Sequence, residues 1–226
     1  MAEKRAFRRV NPLSLAVLVL VWERPMHPYQ MSQTLKQRGK EASVRINFGA
    51  LYAVVESLLA QGFIEVVGSE QDGNRPARTV YGITDSGRAE MADWVRGWLG
   101  EPEKEYPKFT AALSFMGVLD PAEATQLLHR RIGLLDKRIA DMRAEYDTVV
   151  AWLPEALLIE AAYELRLTET ERDFAADLVA RIESGALGGL DIWRQMHELL
   201  ARFPDGVPGD HADELWEKWG LPKPPN

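Results

Sequence analysis

Eight apolar residues, Leu128, Ile132, Leu135, Ile139, Met142, Tyr146, Val149 and Leu153, follow one another at alternating spacings of four and three, and Pro154 ends the run. Such a repeat gathers on one stripe, a coiled-coil-like seam on a helix of about 33 residues, roughly 50 Å at ~1.5 Å rise per residue, and a seam of that kind demands a helical partner. Asp120-Pro121-Ala122-Glu123 supplies the start of this helix: an N-cap, a first-turn proline and an acidic third position. The rear of the chain is therefore expected to be a helical arm. Glu155 to about Ile182 should fold back along it, and Leu128, Ile132, Leu135, Ile139, Met142, Tyr146 and Val149 are the expected dimerisation residues.

The front of the chain has a different rhythm. Asn11-Pro12 opens a stretch to Trp22 that is apolar almost all round, as in a central helix packed on several sides. Lys4, Arg5, Arg8 and Arg9 ahead of it imitate a secretory signal, but Glu23-Arg24-Pro25-Met26-His27 follows where a small-residue cleavage site would stand. A second short helix begins at Pro28, with Tyr29, Met31 and Leu35 as its apolar face and Gly39 as its stop. Asn47 is a good N-cap for a third, running to about Gln61 and closed by Gly62. On it Leu51, Val55, Leu58 and Leu59 form one stripe, while Gly49, Ala50, Ala53, Glu56 and Ser57 point outward with Tyr52 on the flank. Phe63 to Val67 and Arg78 to Ile83, rich in β-branched and aromatic residues, flank a run of turn formers, Gln71 to Pro76, and read as a hairpin. Thr84-Asp85 caps a fourth helix to about Trp98.

Three helices, a two-stranded wing and a linking helix make the pattern of a winged helix-turn-helix. The expected fold is mainly α: residues 1–98 a winged helix DNA-binding domain, 99–108 a linker, 109–184 a long-helix dimerisation domain, and 185–226 a further helix and a tail rich in Pro and Gly, partly ordered by Trp216 and Trp219.

Charge divides along the same line. Residues 1 to 100 carry 13 Lys+Arg and 10 Asp+Glu, net +3, whereas residues 101 to 226 carry 14 and 24, net -10. A basic front can meet phosphates while an acidic rear keeps the molecule off the duplex. The 46% hydrophobic content argues against disorder. No apolar run reaches the roughly 18 residues a membrane span requires, and no membrane partner is expected. Cysteine is absent, which removes disulfides, thiolate zinc sites, Fe–S ligation and a cysteine nucleophile; a cytoplasmic location is the expectation.

A helix-turn-helix reads DNA by laying one helix in the major groove while neighbours grip phosphates. The third helix is the candidate reader. Its slender outer face, at Gly49, would bring Asn47, Tyr52 and Ser57 to base edges or backbone; Lys36, Lys40 and Arg45 would bind flanking phosphates, and Arg75 and Arg78 would do so from the wing. The expected partners are double-stranded DNA and a second copy of the chain, because two joined readers on a palindromic site gain affinity and fix half-site spacing. A winged helix can also serve as a protein-binding adaptor, which would lack a salt-sensitive DNA affinity.

Arg24-Pro25-Met26-His27-Pro28-Tyr29, Phe48-Gly49-Ala50-Leu51-Tyr52, the exit Leu58 to Ile64, and Asn74-Arg75-Pro76 leading into Val80 to Arg88 closely resemble the PadR-like transcriptional regulators. The likeness covers residues 12 to 95. Residues 109 to 182 resemble the longer helical C-terminal domain of one subgroup. The resemblance implies a homodimeric repressor whose DNA affinity responds to a small molecule, with Tyr52 as the recognition-helix tyrosine and Arg75 as the wing arginine. Pro28 stands where the family often has Gly, and Ala50 where Ser or Thr is common, which removes a hydroxyl from that turn.

Enzyme readings fare badly. His197-Glu198-Leu199-Leu200-Ala201 starts like a zinc protease helix, yet Ala201 occupies the place of the second His ligand. His27, His129, His197 and His211 are scattered, and neither a glycine-rich phosphate loop nor a G-x-S-x-G elbow occurs. No enzyme activity, metal or cofactor is expected. Seven Trp are more than usual; beside a packing role, Trp94, Trp98 and Trp152 are the expected lining of a site for a small, flat aromatic effector.

Overall fold

The computed structural model describes residues 11–40, 43–44, 46–71, 77–203 and 205. The chain divides into two compact units, residues 1–105 and 106–226.

In the first unit, α1 (Pro12–Glu23) begins where the Asn11 side chain accepts from the Leu13 N–H at 3.0 Å. Its Leu13, Val17, Leu18, Leu20 and Val21 are buried, so the helix is the centre of the unit. The second helix, α2 (Pro28–Gln37), has a histidine cap: His27 Nδ1 accepts from the Gln30 N–H at 3.1 Å while Gln30 Oε1 accepts from the His27 N–H at 3.4 Å. This reciprocal box satisfies two of the orphan donors of a helix start. Gly39, at φ +67°, turns the chain out of α2 in the left-handed region that glycine enters at no steric cost.

The third helix, α3 (Phe48–Ala60), starts on Asn47, whose side chain accepts from the Ala50 N–H at 2.7 Å, and it is closed by Gly62 at φ +73°. Its inner stripe is Leu51, Val54, Val55 and Leu58, the i, i+3, i+4, i+7 set; Leu59, expected inside, is 36% exposed. Strands β1 (Ile64–Glu70) and β2 (Arg78–Ile83) pair antiparallel from Ile64 opposite Ile83 to Glu70 opposite Arg78, with a bulge between Val66 and Gly68. Met26 adds a bridge to the outer edge of β2 through two backbone bonds with Tyr81, each 3.1 Å. Helix α4 (Asp85–Gly100) closes the core with Trp94.

The second unit contains α5 (Lys108–Ser114), a 3-10 turn (Met116–Val118), the long α6 (Pro121–Val150), a 3-10 turn (Glu155–Leu157), α7 (Ile159–Glu183) and α8 (Leu190–Arg202). Asp120 caps α6 by accepting from the Ala122 N–H at 2.7 Å. Helices α6 and α7 form an antiparallel pair tied by Arg143 to Glu169 at 2.6 Å and Arg172 to Asp136 at 2.8 Å, with His129 and Glu183 at its far end.

The heptad seam has part of its cover inside the chain. Leu128, Leu135 and Ile139 are buried, and Leu128 joins a core with Ala175, Leu178, Val179 and Ile182 of α7, against which Ile132 packs. Ile132, Met142, Tyr146 and Val149 are half-buried on the same stripe. The stripe expected to meet a second chain is thus partly covered by its own hairpin partner, and Ile132, Met142, Tyr146 and Val149 keep part of their surface open. Among the apolar side chains left outward on α6 and the turn before it are Phe115, Val118, Leu127 and Leu134.

Candidate nucleic-acid interface

Helix α3 presents to solvent the face that the sequence assigns to it. Asn47, Gly49, Tyr52, Ala53, Glu56 and Ser57 are exposed, and Ala50 is half-buried. A Cβ placed on Gly49 would meet only Asn47 Oδ1, at 3.8 Å. Nothing inside the fold therefore requires glycine here, and the room it leaves is on the outside. Two polar residues of the face are partly committed to the helix: Asn47 Oδ1 is the cap acceptor, and the Ser57 hydroxyl accepts from Gln61 Nε2 at 2.7 Å.

The cations around it are held to different degrees. Lys36 is exposed and Lys40 half-buried, and both engage neighbouring groups. Arg38 is spent on the fold: its guanidinium makes two bonds to the Glu23 carboxylate, 2.7 and 2.6 Å, joining the end of α2 to the end of α1. That hydrogen-bonded pairing holds the Glu23 carboxyl below its ordinary range and raises Arg38. Arg45 and Arg75 lie outside the described residues.

Arg78, at the start of β2, lies over the Tyr29 ring with its guanidinium carbon 5.1 Å from the ring centre. Tyr29 in turn stacks at 6.2 Å on His27 and at 6.2 Å on Phe48, the first residue of α3. Tyr29 is 41% exposed, so it does not share the buried face of Met31 and Leu35 to which its spacing assigns it. A groove of about 320 Å3 runs between wing and helices, bounded by Tyr29, Tyr52, Arg78, Thr79 and Tyr81. Tyr29 and Phe48 are thus site residues that periodicity misses. The signal present in the sequence is positional: both occupy the first turn of a helix, where a side chain projects past the helix end.

Of the tryptophans expected to line an effector site, Trp94 and Trp98 belong to the first unit and Trp152 to the second. Trp94 is 1% exposed in the core of the first unit, its Nε1–H donating to Glu90 at 2.8 Å, and Trp98 stacks on it at 6.2 Å. A ring sealed by its own core offers no face to a ligand. Trp152 is 70% exposed. The second unit instead holds an apolar groove of about 530 Å3, lined by Phe109, Leu113, Phe115, Met116, Leu127 and Leu134 with Arg130 and Arg131 beside them. Among the described residues no three His, Asp or Glu converge as metal ligands, and no helix is long and apolar enough to cross a membrane.

Comparison with known proteins agrees with this architecture. Residues 17–93 match the model of the transcriptional regulator PadR-like family. The negative transcriptional regulator PadR of Bacillus subtilis (strain 168) is 24% identical over 140 residues, 62% of this chain and 75% of the relative. The crystal structure of Bacillus subtilis PadR in complex with operator DNA superposes with a TM-score of 0.63 at 20% identity, over 75% of this chain and 98% of that one. The same protein in complex with p-coumaric acid gives 0.61 at 19% identity, over 76% and 98%. The Vibrio cholerae virulence activator AphA gives 0.56 at 17% identity, over 76% and 98%. The order of helices and wing, the cap residues that set it and the matched segment agree: residues 17–93 are similar to the transcriptional regulator PadR-like family, and the chain shares the fold of the solved PadR structures.

Proposed function

We propose that this regulator binds a palindromic operator as a homodimer, acts as a repressor, and is released from DNA by a small molecule. The observation that carries the reading is the outer face of α3: exposed, nearly free of side-chain bulk at Gly49 and Ala53, and flanked by Tyr52 and the Arg78 groove. A major groove admits a helix whose surface lets its backbone come close, while cations at the rim take phosphates. The contact set is Lys36, Lys40, Asn47, Gly49, Tyr52, Ser57 and Arg78, with Arg45 and Arg75 completing it. The net +3 of the first 100 residues against -10 for the rest favours the same orientation. That a relative's structure holds operator DNA supports it.

The second copy docks on apolar side chains left outward by α6 and the turn before it, Phe115, Val118, Leu127 and Leu134. The groove that these same side chains share with Phe109, Leu113 and Met116, with Arg130 and Arg131 beside it, then lies at the edge of the dimer contact and suits an aromatic acid of the kind bound by the PadR relative, in place of the tryptophans. Affinity selection of random duplexes with the purified protein tests the reading. A two-fold symmetric consensus bound with an affinity that falls steeply with salt is the expected result. No enrichment and no duplex binding at low salt would overturn it in favour of a protein-binding adaptor.

A further inference from the structure

Arg78 has two candidate neighbours of opposite consequence. Glu70 lies directly across the ladder from it, and an arginine paired there would lose its charge to a carboxylate. The structure turns the Glu70 carboxylate toward His27 instead, 4.0 Å from Nε2, and lays Arg78 over the face of Tyr29 at 5.1 Å from its centre. A ring face attracts a guanidinium through its quadrupole without neutralising it. The Tyr29 ring is itself fixed, stacked on Phe48 at 6.2 Å, and its hydroxyl accepts from Gln33 Nε2 at 2.7 Å. Arg78 and Tyr52 thus line one groove of about 320 Å3, with Tyr29, Tyr81 and His27 among its other walls.

We infer that Tyr29 is a positioning residue, which holds the Arg78 guanidinium on the wing side of this groove so that Arg78 and the Tyr52 hydroxyl together grip one phosphodiester of the DNA backbone. The inference rests on the DNA-binding reading above and adds to it a residue that touches no base. Phosphate and aromatic faces suit each other here: the cation and the phenol take the anionic oxygens, and the ring faces of Tyr29 and Phe48 pack against the adjoining deoxyribose. The grip carries no sequence information and sets the register of α3 in the groove.

The test uses the full-length protein, a fluorescent duplex recovered by selection from a random pool, and an unrelated duplex of the same length. Affinities are measured by anisotropy across a salt series for wild type, Tyr29→Leu, Tyr29→Phe, Arg78→Ala and Tyr29→Leu/Arg78→Ala, each checked for an unchanged thermal transition. Tyr29→Leu should weaken binding about two- to fivefold per reading head, the strength of an exposed cation–π contact, and equally on both duplexes. Its salt slope should fall toward that of Arg78→Ala, by about 0.9 per lost phosphate contact, although no charge has been removed. The double variant should bind like Arg78→Ala alone, and Tyr29→Phe should keep wild-type affinity. Wild-type slope in Tyr29→Leu, or effects that multiply in the double variant, would overturn the positioning role and leave the DNA-binding reading intact. Wild type binding neither duplex at low salt would remove the reading itself. A Tyr29→Leu protein that melts early sends the question to Tyr29→Phe and Arg78→Ala, where a loss with Phe as large as with Ala contradicts the inference.

Discussion

A Cβ on Gly87 would fall 2.0 Å from the carbonyl oxygen of Phe63. The first turn of α4 sits this close because three groups hold it there: the Thr84 hydroxyl donates to the Gly62 carbonyl at 2.7 Å, the Ser86 hydroxyl to the same oxygen at 2.8 Å, and the Thr84 N–H to the Phe63 carbonyl at 3.1 Å. The end of the reading helix is thus clamped to the start of the helix that follows the wing.

Gly87→Ala should therefore unseat α4 from the exit of α3. The neighbour is backbone, which cannot swing aside as a flexible side chain would, so the cost should reach or exceed the usual 1–3 kcal/mol or so of overpacking. Urea unfolding followed by circular dichroism reads this directly. A variant as stable as wild type would mean that the clamp is looser than described.

The Glu23–Arg38 pair ties α1 to α2, and its pH dependence has a definite sign. The Arg38 guanidinium, through its hydrogen bonds, holds the Glu23 carboxyl below its ordinary value. A depressed folded value contributes stability that is present above the unfolded pKa and is lost as pH falls through the folded one. Both side chains are partly exposed, 34% and 45%, so the pair should be worth under about 1 kcal/mol. Glu23→Gln should be slightly less stable than wild type near neutral pH, and the gap should close in acid, once Glu23 is protonated. A gap that persists at low pH would show that the substitution acts through packing and not charge.

Much of the reading head was legible because its punctuation is chemical. Asn11, Asn47, Gly39 and Gly62 each do one local job that only a few residue types can do, and each does it in the structure. What was not legible depends on neighbours distant in sequence. The heptads of α6 mark Leu128 as covered without saying by what, and in the structure Ala175, Leu178, Val179 and Ile182 of α7 share its core. The Met26 bridge to Tyr81 and the bulge at Val67 leave no periodic trace. Tyr29 has the spacing of a core residue yet stands in the first turn, where the wing and α3 leave it open, and Trp94 looked like a ligand platform until its burial was known.

Two adjacent leucines of α6 separate folding from association. Leu135 is 9% exposed, and Leu134 is 62% exposed. Leu135→Ala should cost about 2–5 kcal/mol as a core truncation and leave self-association largely in place. Leu134→Asp should keep the helical signal and yield a monomer at concentrations where wild type sediments as a dimer. A dimeric Leu134→Asp would move the interface to another surface of the second unit.

The central claim is that DNA meets the outer face of α3, and Gly49 tests it in one substitution. A Cβ there would meet only Asn47 Oδ1, at an ordinary 3.8 Å, and leucine favours helix over glycine by up to about 1 kcal/mol. Gly49→Leu should thus fold as well as wild type while placing bulk where the duplex must come close. The measurement is its affinity for the selected duplex at fixed salt, beside its thermal midpoint. The account predicts an unchanged or higher midpoint with affinity reduced about tenfold or more, some 1.4 kcal/mol; a well-folded Gly49→Leu protein that binds the duplex as tightly as wild type would contradict it.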